Sequence, residues 1–236
     1  MLGFVSSFFI FNKCYLCNKN IDSKKKKDKS YNDKIDDINV KYLCDNCYKK
    51  LENYKLNSSL EKDIFEDILI EYCYIFKYEK YIRKLILEYK FFDKSYLGKV
   101  FAEFIIRQKN LYKKFESYDI IIPVPMYKNK KKIRGYNQTE IITANICLKC
   151  KNLFYGNKII IKIKDTKKQS LLKKSERLYN VKGAYKIHEK YFEFLENKQV
   201  IIFDDIYTTG ATINECIEIL KKAKVKSILV LILAKD

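Results

Sequence analysis

The run Val200-Ile201-Ile202-Phe203-Asp204-Asp205-Ile206-Tyr207-Thr208-Thr209-Gly210-Ala211-Thr212 sets two adjacent carboxylates beside three threonine hydroxyls and a glycine. The apolar residues Val200 to Phe203 suit a strand buried on both faces of a parallel sheet. Beyond the run, Ile213, Cys216, Ile217 and Leu220 recur at the i, i+3, i+4, i+7 spacing of one helix face. Thr208 to Thr212 join the two elements. A glycine there lets a ligand approach the backbone, and the first N–H groups of the helix are free to meet an anion. Asp204 and Asp205 fall at the carboxyl end of the strand, where open α/β sheets bind ligands. A carboxylate pair there can accept from sugar hydroxyls or hold Mg²⁺. The chemistry assembled is that of a phosphorylated sugar. An acidic strand-turn-helix junction without a ligand is the alternative.

A second group of residues points to a metal. Cys14-Tyr15-Leu16-Cys17 and Cys44-Asp45-Asn46-Cys47 are two CxxC knuckles, each able to offer a thiolate pair to one tetrahedral Zn²⁺. Four thiolates leave no open coordination position, so such a zinc is structural, and its loss is expected to unfold the first ~60 residues while sparing the remainder. Disulfides are the rival, and they need an oxidising compartment. The sole histidine, His188, reads as a loop residue. Cys147-Leu148-Lys149-Cys150 repeats the spacing but lies within the helical pattern of Ile141, Ile142, Ala144, Asn145 and Leu148, with no partner pair. Cys73 and Cys216 read as small core residues.

The elements that must position these groups follow from composition and periodicity. A chain of 236 residues that is 47% apolar and 15% aromatic folds rather than remaining disordered. Its length suits one well-buried unit plus a small module. The expected division is residues 1–60, a zinc-binding module with an N-terminal apolar helix and a Lys/Asp-rich insertion, and residues 61–236, a ligand-binding domain. Residues 22–37 are that insertion, too polar to pack a core. Residues 2–11 are apolar but lack a basic flank. No signal peptide or membrane span is read, and a soluble cytoplasmic protein is expected.

Strands are expected at 67–76, 118–124, 158–163, 200–203 and 227–233. Helices are expected along the stripe Ile82, Leu85, Ile86, Tyr89 and over 96–114, 136–151 and 211–224. A long polar stretch at 165–185 carries one short helix. Strands alternating with helices predict a doubly wound α/β domain.

Charge is uneven. The net charge is +19, of which +16 falls between Arg107 and Lys190. That clustering fits a polyanionic partner, a pyrophosphate-bearing substrate or a nucleic-acid backbone; a solvated lysine face is the alternative. Two of the four arginines, Arg134 and Arg177, sit in basic loops where a rigid fork suits phosphate oxygens. The first loop runs from Ile122-Pro123-Val124-Pro125 to Arg134-Gly135-Tyr136-Asn137-Gln138. The second carries Gln169 and Arg177 and has the length of a mobile hood.

The run from Val200 to Thr212 resembles the phosphoribosyl pyrophosphate (PRPP) motif of the type I phosphoribosyltransferases at every position. The resemblance implies that Asp204 and Asp205, the catalytic pair, hold the ribose 2- and 3-hydroxyls. It implies that Thr208, Thr209, Gly210, Ala211 and Thr212 cradle the 5-phosphate. With the four-cysteine element, the Pro-Val-Pro strand end, the Arg-Gly-Tyr-Asn-Gln element and the second basic loop in order, the chain resembles the ComF (ComFC) family and the related GntX group. The resemblance covers nearly the whole chain. It implies a type I phosphoribosyltransferase-like doubly wound parallel sheet with a small N-terminal zinc module. The implied cofactors are structural Zn²⁺, through Cys14, Cys17, Cys44 and Cys47, and Mg²⁺ with PRPP. Val124, Pro125, Arg134, Gly135, Asn137, Gln138, Gln169 and Arg177 are the pyrophosphate and loop residues expected. The implied role is in natural transformation, bringing single-stranded DNA into the cytoplasm, with PRPP, single-stranded DNA and a competence helicase as partners. Phosphoribosyl transfer to a nucleobase or another acceptor is the alternative. One departure bears on that choice: purine-salvage relatives carry an Asp just before their Thr-Gly, and this chain has Thr208. A nucleic-acid reading instead enlists Tyr112, Tyr127, Tyr136, Tyr155 and Tyr179 among the lysines as base-stacking rings.

Overall fold

The computed structural model describes residues 13–21, 42–56, 61–65, 68–166 and 180–236. The apolar stretch 2–11, the insertion 22–37, and Gln169, Arg177 and Tyr179 lie outside the described residues.

In chain order the elements are α1 (Asp45–Glu52), β1 (Glu61–Phe65), β2 (Ile68–Lys77), α2 (Lys80–Phe91), α3 (Leu97–Ile106), α4 (Lys109–Phe115), β3 (Ile120–Pro123) and α5 (Lys128–Arg134). Then come α6 (Gln138–Lys149), β4 (Phe154–Tyr155), β5 (Ile160–Lys162), β6 (Tyr185–Ile187), β7 (Gln199–Tyr207), α7 (Ala211–Lys222) and β8 (Ser227–Lys235). Six strands form one sheet in the order β1-β2-β8-β7-β3-β4, and β5 and β6 form a separate ribbon. Every pairing from β2 to β4 is parallel, and only β1 at the edge is antiparallel. This is the expected α/β fold with a mostly parallel sheet.

Helices cover both faces, and the strands show why their apolar runs are continuous. Ile201 and Phe203 of β7 face one core with Ile121, Leu229 and Leu231, covered by α2, α3, α4 and α6. Val200 and Ile202 face the other, with Ile120, Ile228 and the α7 residues Ile213, Cys216, Ile217 and Leu220. Successive side chains of a strand point to opposite faces, so a strand between two helical layers needs no polar position. Val200 to Phe203 are all 0% exposed, and each such side chain contributes roughly 1.5–3 kcal/mol of apolar burial.

The topology makes one crevice. From β3 the chain moves outward to β4, whereas β7 leads to β8 on its other side, so the strand order reverses between β3 and β7. Ligands of such sheets bind beyond the carboxyl ends of the strands at that reversal. The two ends are in register there: Pro123 pairs with Phe203, and the Val124 N–H donates to the Phe203 carbonyl at 2.9 Å.

Several elements differ from the sequence expectation, among them the short strands β1, β4 and β6, where no strand is expected. The helix expected over 96–114 is two helices, because Gln108 adopts extended backbone (φ −80°, ψ 95°) and starts α4 anew. The basic stretch 128–134, read as loop, is α5. It buries no residue, so no apolar stripe announced it, and it stops at Gly135, whose φ of +84° favours glycine. The β7 strand runs on through the acidic pair to Tyr207, because β8 continues to pair with it there.

Candidate functional site and metal centre

Asp204 and Asp205 stand at the crevice, at the carboxyl end of β7, and their surroundings differ. Asp204 lies among Lys162, Tyr185 and Cys216, and its Oδ1 accepts the Asp205 N–H at 2.8 Å. Burial pushes its carboxyl up to about 7, the Asp205 charge adds to this, and the Lys90 and Lys162 charges oppose it. Burial likewise draws the Lys162 amine down to about 8, helped by Lys130 and opposed by Asp204. The Lys162 Nζ donates to the Tyr185 hydroxyl at 3.0 Å. The Cys216 thiol is pushed up by burial and by Asp204.

Asp205 faces cations. Lys90 Nζ lies 2.8 Å from its Oδ2, and both side chains are only 16% exposed. The half-buried Arg134 guanidinium feels the same carboxylate from farther away: burial lowers its pKa and the Asp205 charge counters this. Arg134 Nη1 donates to Gln138 Oε1 at 2.7 Å, and the guanidinium lies 5.2 Å from the Phe91 ring centre. Gln138 is 1% exposed, yet its Nε2 has no partner among the described residues, while its backbone carbonyl accepts from the Tyr89 hydroxyl at 2.8 Å. A buried amide left without a partner is costly, and a ligand oxygen would satisfy it.

The threonine loop leads from β7 into α7. Gly210 has φ +73°, and a Cβ there would meet the Tyr207 hydroxyl at 2.5 Å. Thr208 is exposed, Ala211 is buried, and the Thr212 hydroxyl bonds Tyr185. Thr209 Oγ1 is buried and has no partner among the described residues. This orphan hydroxyl and the free N–H groups at the start of α7 are donors that can meet an anion.

At the end of β3 the expected loop residues divide. The Val124 carbonyl accepts from Asn137 Nδ2 at 3.1 Å and from Thr139 Oγ1 at 2.8 Å. Asn137 Oδ1 accepts from the Thr139 N–H, capping α6. The Asn137 amide is therefore spent on joining β3 to α6, while the Arg134 guanidinium, bonded to Gln138, feels the Asp205 charge. Val124 is buried, Pro125 is half-buried, and Gly135 terminates α5.

Sequence reasoning missed Lys90, Lys162, Tyr185 and Phe91. None belongs to a motif, and only the packing of α2 and of the β5–β6 ribbon brings them to β7. The rings enlisted for base stacking are mostly engaged elsewhere: Tyr112 donates to the Lys149 carbonyl, Tyr136 to that of Tyr89 and Tyr155 to that of Glu140.

The four cysteines converge. The Sγ atoms of Cys14, Cys17, Cys44 and Cys47 lie within 4.8 Å of one another, and those of Cys17 and Cys44 are 3.7 Å apart. Tetrahedral zinc at about 2.3 Å from each sulfur sets neighbouring sulfurs about 3.8 Å apart, so the site fits such an ion. Burial disfavours the Cys14 thiolate, but N–H groups of Cys44, Leu16 and Cys17 outweigh it and draw that thiol down to about 7. The cluster can hold a metal such as zinc.

A mostly parallel sheet with helices on both faces, an acidic pair and threonine loop at its topological reversal, and a four-cysteine cluster define a phosphoribosyltransferase-like α/β protein. No family model matches the chain. It is 31% identical to Competence protein F of Haemophilus influenzae over 156 residues, covering 64% of this chain and 66% of that one. It is 27% identical to Competence protein ComFC of Streptococcus pneumoniae over 168 residues, 69% of this chain and 67% of that one. A DNA utilization protein, YhgH of Escherichia coli, is 26% identical over 104 residues, 43% of each chain. The chain thus spans about two thirds of the length of the first two relatives, and it belongs to the ComF/ComFC family.

Proposed function

We propose that this chain binds PRPP with Mg²⁺ and supports the uptake or handling of single-stranded DNA in natural transformation. The observation that carries the ligand is the buried Thr209 hydroxyl without a partner among the described residues, in a glycine loop that runs from an acidic strand end into a helix start. In this reading the loop and the α7 N–H groups hold the 5-phosphate. Asp204 and Asp205 accept from the ribose hydroxyls, and Arg134 with Gln138 faces the pyrophosphate. Asp204 and Asp205 are the oxygen donors this chain would add for Mg²⁺ bound with the ligand's phosphates, and the ion would neutralise charge on the departing pyrophosphate. The relatives' names, competence proteins and DNA utilization proteins, support the role in DNA uptake.

Calorimetry with PRPP and Mg²⁺ tests the pocket, on the wild type and on Asp204→Ala/Asp205→Ala. Binding that survives the double substitution unchanged overturns the ribose assignment. For the DNA role, the exposed lysines Lys128, Lys131 and Lys132 of α5 predict weak binding whose logarithm falls linearly with log[NaCl]. A flat response removes its electrostatic basis.

The unlike settings of Asp204 and Asp205 favour a second reading, phosphoribosyl transfer, since paired carboxylates in different environments divide acid and base roles. In that reaction the bond from ribose C1 to pyrophosphate breaks, pyrophosphate leaves with the electron pair, and an acceptor atom bonds C1. The pocket's fixed charges would stabilise the cationic ribose between these steps. Thr208, where purine-salvage enzymes carry Asp, weighs against hypoxanthine or guanine as acceptor. Pyrophosphate release across candidate bases separates transfer from binding alone.

A further inference from the structure

We propose that Lys90 is a ligand for the pyrophosphate arm of the bound sugar and, before that arm arrives, the counter-ion of Asp205. The assignment rests on the PRPP reading of the pocket. Lys90 lies in the last turn of α2, and the residue before it anchors that turn. Tyr89 is 0% exposed, its hydroxyl donates to the Gln138 carbonyl, and its own carbonyl accepts from Tyr136. The lysine is therefore delivered by a fixed helix end rather than by a loop. Its side chain is 16% exposed and its Nζ sits 2.8 Å from Asp205 Oδ2.

The charges on this side of the acid pair do not balance. Lys90 makes the ion pair with Asp205 and its charge also reaches Asp204, whereas Arg134 feels the Asp205 charge but makes no ion pair among the described residues, its Nη1 hydrogen bond going to the neutral amide of Gln138. The partly buried Arg134 charge is thus poorly matched, which is costly. The Nε2 of Gln138, whose Oε1 accepts from Arg134, is a further donor without a partner among the described residues. Surplus positive charge and a spare donor on one side of a ribose site are complementary to a polyanion attached to ribose C1. The 5-phosphate is accounted for separately by the Thr209–Gly210 cradle. Lys90 consequently distinguishes sugars that carry a pyrophosphate arm from those that carry only the 5-phosphate.

The test compares PRPP with ribose 5-phosphate, each with Mg²⁺, by calorimetry on the wild type, Lys90→Gln and Lys90→Arg. Loss of one charge-assisted contact should weaken PRPP binding by at least about tenfold in Lys90→Gln. Ribose 5-phosphate affinity should stay within about twofold, and Lys90→Arg should keep most of the PRPP affinity. Equal loss for both ligands would mean that Lys90 only supports the fold, and no loss for either would mean that it touches neither; each result overturns the assignment. Lys90→Met, which keeps an unbranched stem without charge, is read the same way should Lys90→Gln fail to fold. A wild type that binds ribose 5-phosphate and PRPP equally well overturns the role of Lys90 and leaves the ribose site standing. A wild type that binds neither overturns both.

Discussion

The ring of Tyr48, one residue beyond the last metal-site cysteine, packs on Phe104 of α3 with centroids 5.0 Å apart. Arg107 reinforces that junction, stacking 4.0 Å over Tyr48 and pairing with Asp45 at 3.1 Å. Cys14, Leu43, Cys47 and Leu51 share one buried cluster with Phe76, Phe101 and Phe104. The four-cysteine element thus lends its apolar residues to the main core. Sequence reasoning expected zinc loss to spare the α/β part; the shared core argues otherwise. Chelation should lower the melting midpoint of the whole chain by roughly 10 °C or more, as one cooperative transition in tyrosine near-ultraviolet dichroism. An unshifted midpoint would contradict this.

Asp204 makes stability depend on pH in a definite direction. Its carboxyl titrates at about 7 when folded, against roughly 3.9 in an unfolded chain. The native state therefore keeps a proton that the unfolded state has lost. The stabilisation is complete below the unfolded value and is lost as pH rises through about 7. Lys162, drawn down to about 8, shifts the balance the opposite way only at higher pH. Urea titrations of the zinc-loaded protein should show stability falling from pH 5 to 7.5, and Asp204→Asn should flatten that fall. Parallel slopes for the two proteins would sink the assignment.

The fold was legible where one physical demand dominated. A strand between two helical layers must be apolar throughout, so Val200 to Phe203 announced itself, as did the α2 stripe of Ile82, Leu85, Ile86 and Tyr89, all buried as expected. The threonine loop was legible because a left-handed glycine and a helix start are local features. What stayed hidden depended on contacts far apart in sequence. Lys90 is one lysine among 44, and nothing in its neighbours says that α2 ends against Asp205. Asn137 showed its type but not its task, since its amide could reach a ligand or Val124 with equal chemistry.

Asn137 should prove structural in a measurable way. It caps α6 and ties that helix to the end of β3, and it is 2% exposed. Asn137→Ala removes the cap and leaves the Val124 carbonyl with one donor fewer, which should cost about 1–3 kcal/mol. Asn137→Asp keeps the capping oxygen but not the donor to Val124, so its loss should be intermediate. Denaturant midpoints for the two variants check the order. Asn137→Ala melting like the wild type would return the residue to the list of ligand contacts.

Gly210 couples stability to phosphate binding through two separable costs. Its φ of +73° strains any side chain, and an added Cβ would lie 2.5 Å from the Tyr207 hydroxyl and 2.9 Å from its ring carbon. Tyr207 has little room to retreat, because it packs edge-on against Tyr74 at 5.4 Å and Tyr72 at 6.5 Å. Gly210→Ala should therefore cost roughly 1–3 kcal/mol from the backbone alone, with the clash added. It should also turn the Thr209–Ala211 backbone away from the anion and weaken ribose 5-phosphate binding. Tyr207→Phe on top of Gly210→Ala removes the clashing oxygen but neither the 2.9 Å approach to the ring carbon nor the backbone strain, so it should recover part of the stability. Calorimetry and melting of the single and double variants measure the oxygen's share. Full recovery by Tyr207→Phe would show that strain at φ +73° plays no part, and unchanged ribose 5-phosphate affinity in Gly210→Ala would remove the loop from the phosphate site.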